Sequence, residues 1–361
     1  MILRYYPTKD TTIYEAYPYR NTGLDAILEL RKDFDSSGNA TNSRVLLDFD
    51  YTAISKSIVD LGYDPNKFNF NLKMYVADAN EIPVNYALYC YALSGSWDMG
   101  VGRYGNVPET TEGASWYFRS SVEWPTSSLS SGVTSSWNTT SGGGNWYTNP
   151  ASSQSFSYTT ADINLNVTDL VRLVQSQSIN FTGFLVKKSD SDENSSSVFN
   201  SLKFFSKDTN TVYLPVLEAG YDDSTDDSSL ELINMDNEVN VVSVNIKSNY
   251  REKSTPVIRF SARYRYPVDT FTTSSVYLKR YKLPIGTQYA IYSAHNDDIV
   301  VDFSDYTKLS NDNEGTYLKL HLDSFQPERY YKILLKVPHS GHTSAYEIYD
   351  ENWIFKVTRN Q

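Results

Sequence analysis

The chain has 361 residues and a formal net charge of −11 at pH 7. A chain this acidic repels phosphate groups, so we expect no nucleic-acid partner. Its single cysteine, Cys90, excludes an internal disulfide and a cysteine-rich metal site, and no stretch approaches the roughly 18 continuous apolar residues of a membrane helix, so we expect no membrane partner.

The side-chain composition favours β-structure. The chain contains 30 tyrosines, 16 phenylalanines and 6 tryptophans, together with many Ser, Thr, Asn and Asp residues. Aromatic side chains suit the half-buried surface of a pleated sheet, and short polar side chains suit turns. We therefore predict an all-β protein. The first residues lack the apolar core of a signal peptide, so we expect synthesis in a cytoplasm without export by that route.

The first half of the chain shows strand-like alternation. Apolar residues recur at every second position in residues 45–51 and again in residues 68–76, a period that indicates a half-buried strand. One short helix is predicted at residues 170–174, capped by Thr168 or Asp169. Residues 184–187 then open another strand.

Five of the six tryptophans fall in a segment rich in Gly, Ser and Thr, residues 94–149. This composition predicts long loops pinned by aromatic anchors, and loops of such length are often functional. The rings either anchor the loops and their contacts with partner proteins or stack on sugars as a glycan-binding face. The predicted interface or glycan residues are Trp97, Trp116, Trp124, Trp137 and Trp146.

The acidic segment at residues 222–229 is the predicted domain boundary. It reads DDSTDDSS and has no apolar anchor, which is typical of a linker. We thus predict a jelly-roll-like β-sandwich domain over residues 1–221 and a smaller Ig-like β-sandwich domain over residues 230–361. Strand-like runs recur beyond the segment, for example at residues 257–264 and 331–337.

Motifs for metal and nucleotide binding are incomplete. Residues 100–105 fit G-x-G-x-x-G, but no helical pattern follows to meet a pyrophosphate. Residues 190–194 carry oxygen ligands at calcium-loop spacing without the loop's glycine and final glutamate, which leaves a hairpin tip or an irregular Ca²⁺ site open. The 222–229 segment leaves a linker or a cation site open, and His339 and His342 lie in a loop.

No catalytic motif stands out. The sequence has no G-x-S-x-G, no phosphate-binding loop and no Cys/His pairing. Carboxylates are plentiful, so a two-carboxylate glycosidase such as a capsule depolymerase remains an alternative that residue types do not exclude. We expect no enzyme activity and no cofactor.

Several short motifs resemble one protein family in their order and spacing. They include Asp10-Thr-Thr-Ile13, Asn21-Thr-Gly23, Trp97-Asp-Met-Gly-Val-Gly102, Gly113-Ala-Ser-Trp116 and Gly143-Gly-Asn-Trp146 in the first half. Tyr281-Lys-Leu-Pro-Ile-Gly286 and Asp350-Glu-Asn-Trp353 follow in the second half. Together they resemble a virion structural protein of large contractile-tailed phages, especially cyanobacterial myoviruses, and the first 220 residues resemble the DNRLRE-type β-sandwich domain.

The resemblance implies a non-enzymatic particle protein, with no catalytic residues to carry over. Tail, baseplate and neck are the expected positions, with other virion proteins as partners and several copies in a symmetric assembly in the virion, built in the host cytoplasm. The alternative is a tail-surface adhesin that binds host polysaccharide through the Trp and Tyr loops.

Overall fold

A computed structural model describes residues 1–120, 136–137, 142–157, 162–176, 181–267, 279–339 and 345–359. The chain is nearly all β-structure in curled antiparallel sheets, which confirms the predicted all-β, sandwich-type fold. It divides into two compact units: an N-terminal unit, Tyr5–Ala219, and a C-terminal unit, Gly220–Gln361 together with Met1–Arg4.

The predicted linker lies within the C-terminal unit. The backbone N–H of Asn311 donates to the Thr225 carbonyl at 2.8 Å, and the Asp227 N–H donates to the Asn311 carbonyl at 3.0 Å. Asp226 also forms an ion pair with Lys282 at 2.9 Å. Acidic composition suggested a free linker, whereas strand-like backbone bonds and a lysine partner attach this segment to the unit.

The elements up to Gly220 are mainly strands. In chain order the strands are β1 (Ile2–Tyr5), β2 (Lys9–Tyr14), β3 (Ile27–Phe34), β4 (Ala40–Asp48), β5 (Asn69–Met74), β6 (Val76–Asn80), β7 (Asn85–Ser94), β8 (Trp146–Ser157), β9 (Ile163–Asn166), β10 (Phe181–Lys188), β11 (Phe199–Phe205) and β12 (Val216–Gly220). The helices are α1 (Tyr51–Asp60), α2 (Thr168–Gln175), α3 (Asp190–Asn194) and a 3₁₀ turn at Pro65–Lys67.

An eight-stranded sheet dominates the N-terminal unit. Its strand order is β6-β11-β3-β4-β10-β7-β8, and β2 also pairs with β4. In a smaller sheet, β5 lies between β12 and β9. Alternation works as predicted in β5, where Phe70, Leu72 and Met74 are buried and the residues between them are not. Strand β4 differs, because Val45, Leu46 and Leu47 are all buried and its two faces are thus both covered.

One helix prediction and one strand prediction have different outcomes. The helix predicted at residues 170–174 is present as α2, although Thr168 is not its cap: its hydroxyl accepts from the Phe70 N–H at 2.9 Å. The strand predicted over residues 45–51 ends at Asp48, and helix α1 begins at Tyr51. Asp50 explains this end of the strand, since its carboxylate accepts from the Ala53 N–H at 2.9 Å as a helix cap.

The C-terminal unit has two sheets around one core. Its strands are β13 (Glu231–Leu232), β14 (Val239–Ser243), β15 (Asn249–Arg251), β16 (Val257–Tyr264), β17 (Tyr281–Lys282), β18 (Gln288–Ser293), β19 (Ile299–Val301), β20 (Ser310–Asp312), β21 (Gly315–Lys319), β22 (Arg329–Pro338) and β23 (Tyr346–Thr358), with a 3₁₀ turn at Leu322–Ser324. One sheet has the order β13-β17-β16-β21-β20 with β14 paired to β16, and the other has the order β15-β23-β22-β18-β19. Residues from both sheets form one buried cluster, in which the rings of Phe260 and Trp353 lie 5.0 Å apart.

Candidate functional site

Three of the five predicted site tryptophans lie in the hydrophobic core. Trp97, Trp116 and Trp137 are exposed by 3% or less and belong to one buried cluster. The indole N–H of Trp97 donates to the Thr182 carbonyl at 2.9 Å, and that of Trp137 donates to the Ser115 carbonyl at 2.9 Å. These rings anchor their segments inside the unit. They therefore cannot form the row of solvent-facing rings that is needed to stack on sugars or to dock on a partner.

The other two tryptophans differ from these. Trp146 begins β8 and is half-buried. The Arg44 guanidinium carbon lies 4.8 Å from its ring centroid and Lys187 Nζ lies 4.9 Å from it, both within cation–π range. Its ring is thus engaged inside the unit. Trp124 lies outside the described residues.

A buried asparagine holds the first part of the tryptophan-rich segment in place. Asn21 is fully buried, and its Nδ2 donates to the carbonyls of Met99 and Ala114, both at 2.8 Å. Its Oδ1 accepts from the N–H groups of Gly102 at 2.8 Å and Gly23 at 3.2 Å. One amide side chain therefore satisfies backbone groups from three stretches of chain.

Glycines make this arrangement possible. A Cβ atom on Gly102 would lie 2.2 Å from the Asn21 carbonyl oxygen, and one on Gly23 would lie 2.0 Å from the Met99 carbonyl oxygen. Gly100 has φ +79 and equally little room, with the Glu112 carbonyl oxygen 2.1 Å from its Cβ position. Close backbone packing around Asn21 therefore explains the first two glycines of the G-x-G-x-x-G pattern, Gly100 and Gly102, whereas a Cβ atom on Gly105 would meet nothing within 4 Å.

A network of buried charges fixes helix α3 to the sheet. Arg44 holds Glu193 through two hydrogen bonds, Nε to Oε1 at 3.1 Å and Nη2 to Oε2 at 2.8 Å. Lys187 Nζ lies 2.9 Å from Glu193 Oε2 and also bonds Asp190. Arg44 Nη1 donates to the Gly143 carbonyl at 2.6 Å. The Glu193 carboxylate thus pairs with two buried cations at once, a geometry in which losing one partner is costly.

Lysines occupy the oxygens of the calcium-like loop. Lys32 Nζ donates to the Asp192 carbonyl at 2.6 Å and to Ser195 Oγ at 2.9 Å, and Lys187 bonds Asp190. Residues 190–194 form helix α3 instead of a calcium loop, and the Asp190 carboxylate already pairs with Lys187. Among the described residues, no group of three or more His, Cys, Asp or Glu side chains is placed to hold a metal ion.

Lys188, next to this network, is the buried cation with the weakest compensation. It is 1% exposed, and its Nζ donates to the Arg31 carbonyl at 2.7 Å. The pKa of Lys188 is lowered to about 7, mainly by burial; the positive charges of Lys32 and Arg44 also lower it, whereas Glu193 raises it. The side chain is thus only partly protonated near neutral pH.

Among the described residues, three carboxyl groups have raised pKa values, as catalytic acids often do: Asp10, Asp25 and Asp48, the last two less deeply buried than the first. Burial raises the pKa of Asp10 to about 7 and that of Asp48 to about 6. Asp10 is only 1% exposed, and the Lys207 N–H donates to its Oδ2 at 2.6 Å. Since substrate cannot reach Asp10, Asp10 and Asp48 do not form the accessible carboxylate pair of a glycosidase. Burial also raises the pKa of the Cys90 thiol, which favours a structural role.

The sheet β15-β23-β22-β18-β19 has an unusual outer face. Its inner side chains, such as Ile333 and Phe355, join the core, whereas Ile348 and Ile354 on the other face of β23 are 49% and 40% exposed. The strand register aligns Ile354 with Lys332 and Ile348 with Lys336. We define the outer face as Tyr292, Ile299, Tyr330, Lys332, Lys336, Tyr346, Ile348 and Ile354.

Sequence patterns missed this face for a physical reason. The alternation of residues 353–357 predicts a strand with one buried side, and Ile354 between Trp353 and Phe355 is the available signal of a second apolar side. On that side, Lys332 bridges Asp297 and Asp350, both at 2.9 Å. Lys336 Nζ lies 4.2 Å from the centroid of the Tyr346 ring. The outer face therefore combines exposed Tyr and Ile side chains with charged groups that are held by ion pairs.

No protein-family model matches the chain. No curated protein is significantly similar to it in sequence. No helix in the described part of the chain is long and apolar enough to cross a membrane.

Proposed function

We propose that this protein is a non-enzymatic structural component of a tailed-phage particle, placed in the tail, baseplate or neck. It binds neighbouring virion proteins in a symmetric assembly, and its principal contact is the outer face of the C-terminal sheet. The observation that carries the proposal is the presence of exposed Tyr and Ile side chains on that face, Tyr346 and Ile348 at one end of the strands and Tyr330 and Ile354 at the other. The motif resemblance supplies the phage context.

The outer face has the composition of a protein-binding surface. Tyr330 and Tyr346 are 56% and 52% exposed, and they lie on the same face as Ile348 and Ile354. Contiguous exposed apolar patches mark interaction sites, and aromatic residues are enriched in interface cores while charged residues surround them. Lys332 and its two carboxylate partners supply such charges. The tryptophan-rich segment contributes less, because Trp97, Trp116 and Trp137 are buried.

The test compares two substitutions at exposed positions of the same unit. The double variant Ile348→Glu/Ile354→Glu places charges in the outer face, and the control Val244→Glu changes a residue that is 64% exposed and bonded to Arg259 of the other sheet. Each is expressed during infection by a phage that lacks its own copy, and purified particles are probed for the protein. Circular dichroism checks that each variant is folded.

We expect the double variant to be absent from particles and the Val244→Glu variant to be incorporated. A protein contact that buries two isoleucine side chains is strongly weakened when carboxylates replace them, because burying an unpaired charge is costly. Normal incorporation of a folded Ile348→Glu/Ile354→Glu protein would overturn the outer face as the contact. Absence of the wild-type chain from particles would overturn the structural role itself.

A further inference from the structure

The three lysines of strands β22 and β23 differ in how their charges are compensated. Lys332 bridges Asp297 and Asp350, both at 2.9 Å. Lys356 forms an ion pair with Glu328. A contact that buries Lys332 or Lys356 therefore removes the cation from water together with a carboxylate partner that the chain itself supplies.

Lys336 has no such partner. Among the residues that the structure describes, no carboxylate lies within ion-pair distance of its ammonium group. Its Nζ instead lies 4.2 Å from the centroid of the Tyr346 ring and 5.9 Å from that of the Phe303 ring. Residues 340–344, which follow β22 in the chain, contain no Asp or Glu. Ring faces attract and position a cation but carry no net charge, so the charge of Lys336 stays uncompensated in the described part of the chain.

Lys336 lies on a surface that a partner can reach. Its side chain is half-buried, and the strand register places it beside Ile348, which is 49% exposed. The Tyr346 side chain is 52% exposed. We call Lys336, Tyr346 and Ile348 the Lys336 patch. It combines an aromatic ring of the kind enriched in interface cores with a cation held against that ring.

Burial of the Lys336 patch places a requirement on the partner. In the proposed contact, a neighbouring virion protein covers the outer face and excludes water from it. An ammonium group that loses its water without gaining a counter-charge is strongly unfavourable. A carboxylate within hydrogen-bond distance of Lys336 Nζ removes this cost and forms a charge-assisted hydrogen bond. Lys332 makes no such requirement, because Asp297 and Asp350 already compensate it.

We propose that the neighbouring virion protein presents an Asp or Glu carboxylate to Lys336, beside apolar side chains that pack on Tyr346 and Ile348. The inference rests on the proposed function and names the chemistry of the partner at that contact. It also separates the two ends of the outer face, since only the Lys336 patch needs a carboxylate from outside.

The experiment measures how tightly the purified full chain binds to phage particles that lack it, by co-sedimentation over a range of protein concentrations. Lys336→Arg keeps the charge, Lys336→Met removes it and Lys336→Glu reverses it. Lys319→Glu is the matched control, because Lys319 is an exposed strand lysine on the other sheet of the same unit. Circular dichroism checks that each variant is folded.

We expect Lys319→Glu to bind like the wild type and Lys336→Arg to bind within about threefold of it. Binding should be about thirtyfold or more weaker in Lys336→Met, where the partner carboxylate loses its cation, and weaker again in Lys336→Glu, where two carboxylates meet. Added salt should weaken wild-type binding more than it weakens the binding of Lys336→Met, since only the wild type has the ion pair.

Wild-type affinity in the folded Lys336→Met and Lys336→Glu variants would overturn the inference, as would equal weakening by Lys336→Glu and Lys319→Glu. The Ile348→Glu/Ile354→Glu variant separates this failure from that of the proposed function. If the double variant does not bind while both Lys336 variants do, the outer face remains the contact and only the carboxylate is wrong. If the double variant also binds normally, the contact itself is wrong. Failure of the wild-type chain to bind would overturn the structural role and this inference with it.

Discussion

Lys188→Met replaces a buried ammonium group by an apolar side chain of similar length. In the folded protein the pKa of Lys188 is lowered from 10.5 to about 7, first by burial. Folding at pH 7 therefore removes a proton from a group that the unfolded chain keeps charged. A difference of about 3.5 pH units corresponds to roughly 5 kcal/mol of lost stability at pH 7 and below.

The methionine variant avoids this cost but loses one hydrogen bond. The Arg31 carbonyl, which accepts from Lys188 Nζ at 2.7 Å, loses that donor, at a cost of about 1–3 kcal/mol. We therefore expect Lys188→Met to raise the free energy of unfolding by about 2–4 kcal/mol at pH 7.

The pH dependence gives a sharper test than the single value. Between pH 7 and pH 10.5 the unfolded state binds more protons at this position than the folded state, so wild-type stability rises with pH by up to ~1.4 kcal/mol per pH unit. The variant lacks this rise, and its advantage should shrink steadily from pH 7 to pH 9.

The assay is urea unfolding at pH 6, 7, 8 and 9, followed by hydrogen exchange of peptides from β10 and β11, since two units need not unfold together. Lys203→Met is the control, because the Lys203 side chain is 37% exposed. Parallel stability curves for wild type and Lys188→Met across this pH range would refute the reasoning, as would a variant that is less stable at every pH.

Three further predictions follow from the same unit. Glu193→Gln leaves Arg44 and Lys187 poorly compensated and should cost about 3–5 kcal/mol in chemical unfolding; a loss below 1 kcal/mol would contradict the buried network. Gly102→Ala should lower the melting temperature strongly, because its Cβ would lie 2.2 Å from the Asn21 carbonyl oxygen. Gly105→Ala is the control and should not lower it, because a Cβ there has nothing within 4 Å. Similar melting temperatures of the two variants would argue against the Asn21 arrangement. Addition of millimolar Ca²⁺ or of a chelator should leave the melting temperature unchanged, because lysine ammonium groups already bond Asp190 and the Asp192 carbonyl in the segment 190–194. A Ca²⁺-dependent rise in the melting temperature would show a site there.

Local patterns predicted much of the β-structure. The alternation at residues 257–264 matches β16, and that at residues 68–76 contains β5. The pattern at residues 45–51 failed at its end, where the capping carboxylate of Asp50 starts a helix that apolar spacing alone did not indicate. Period-two spacing reports which side chains are buried, whereas an element's end depends on hydrogen bonds of single polar groups.

The buried cations could not be predicted from the sequence. Lysine is usually exposed, and the partners of Lys32 lie about 160 positions further along the chain, at Asp192 and Ser195. The sequence leaves two interpretations of the tryptophans open, because only tertiary packing distinguishes a ring facing inward, such as Trp97, from one facing solvent.

The measurement that tests the structural role most directly is cryo-electron microscopy of the whole phage particle that carries this chain. The account predicts symmetric copies in the tail, baseplate or neck, with the outer face around Ile348 and Ile354 buried against a neighbouring protein. An outer face open to solvent in every copy would contradict it.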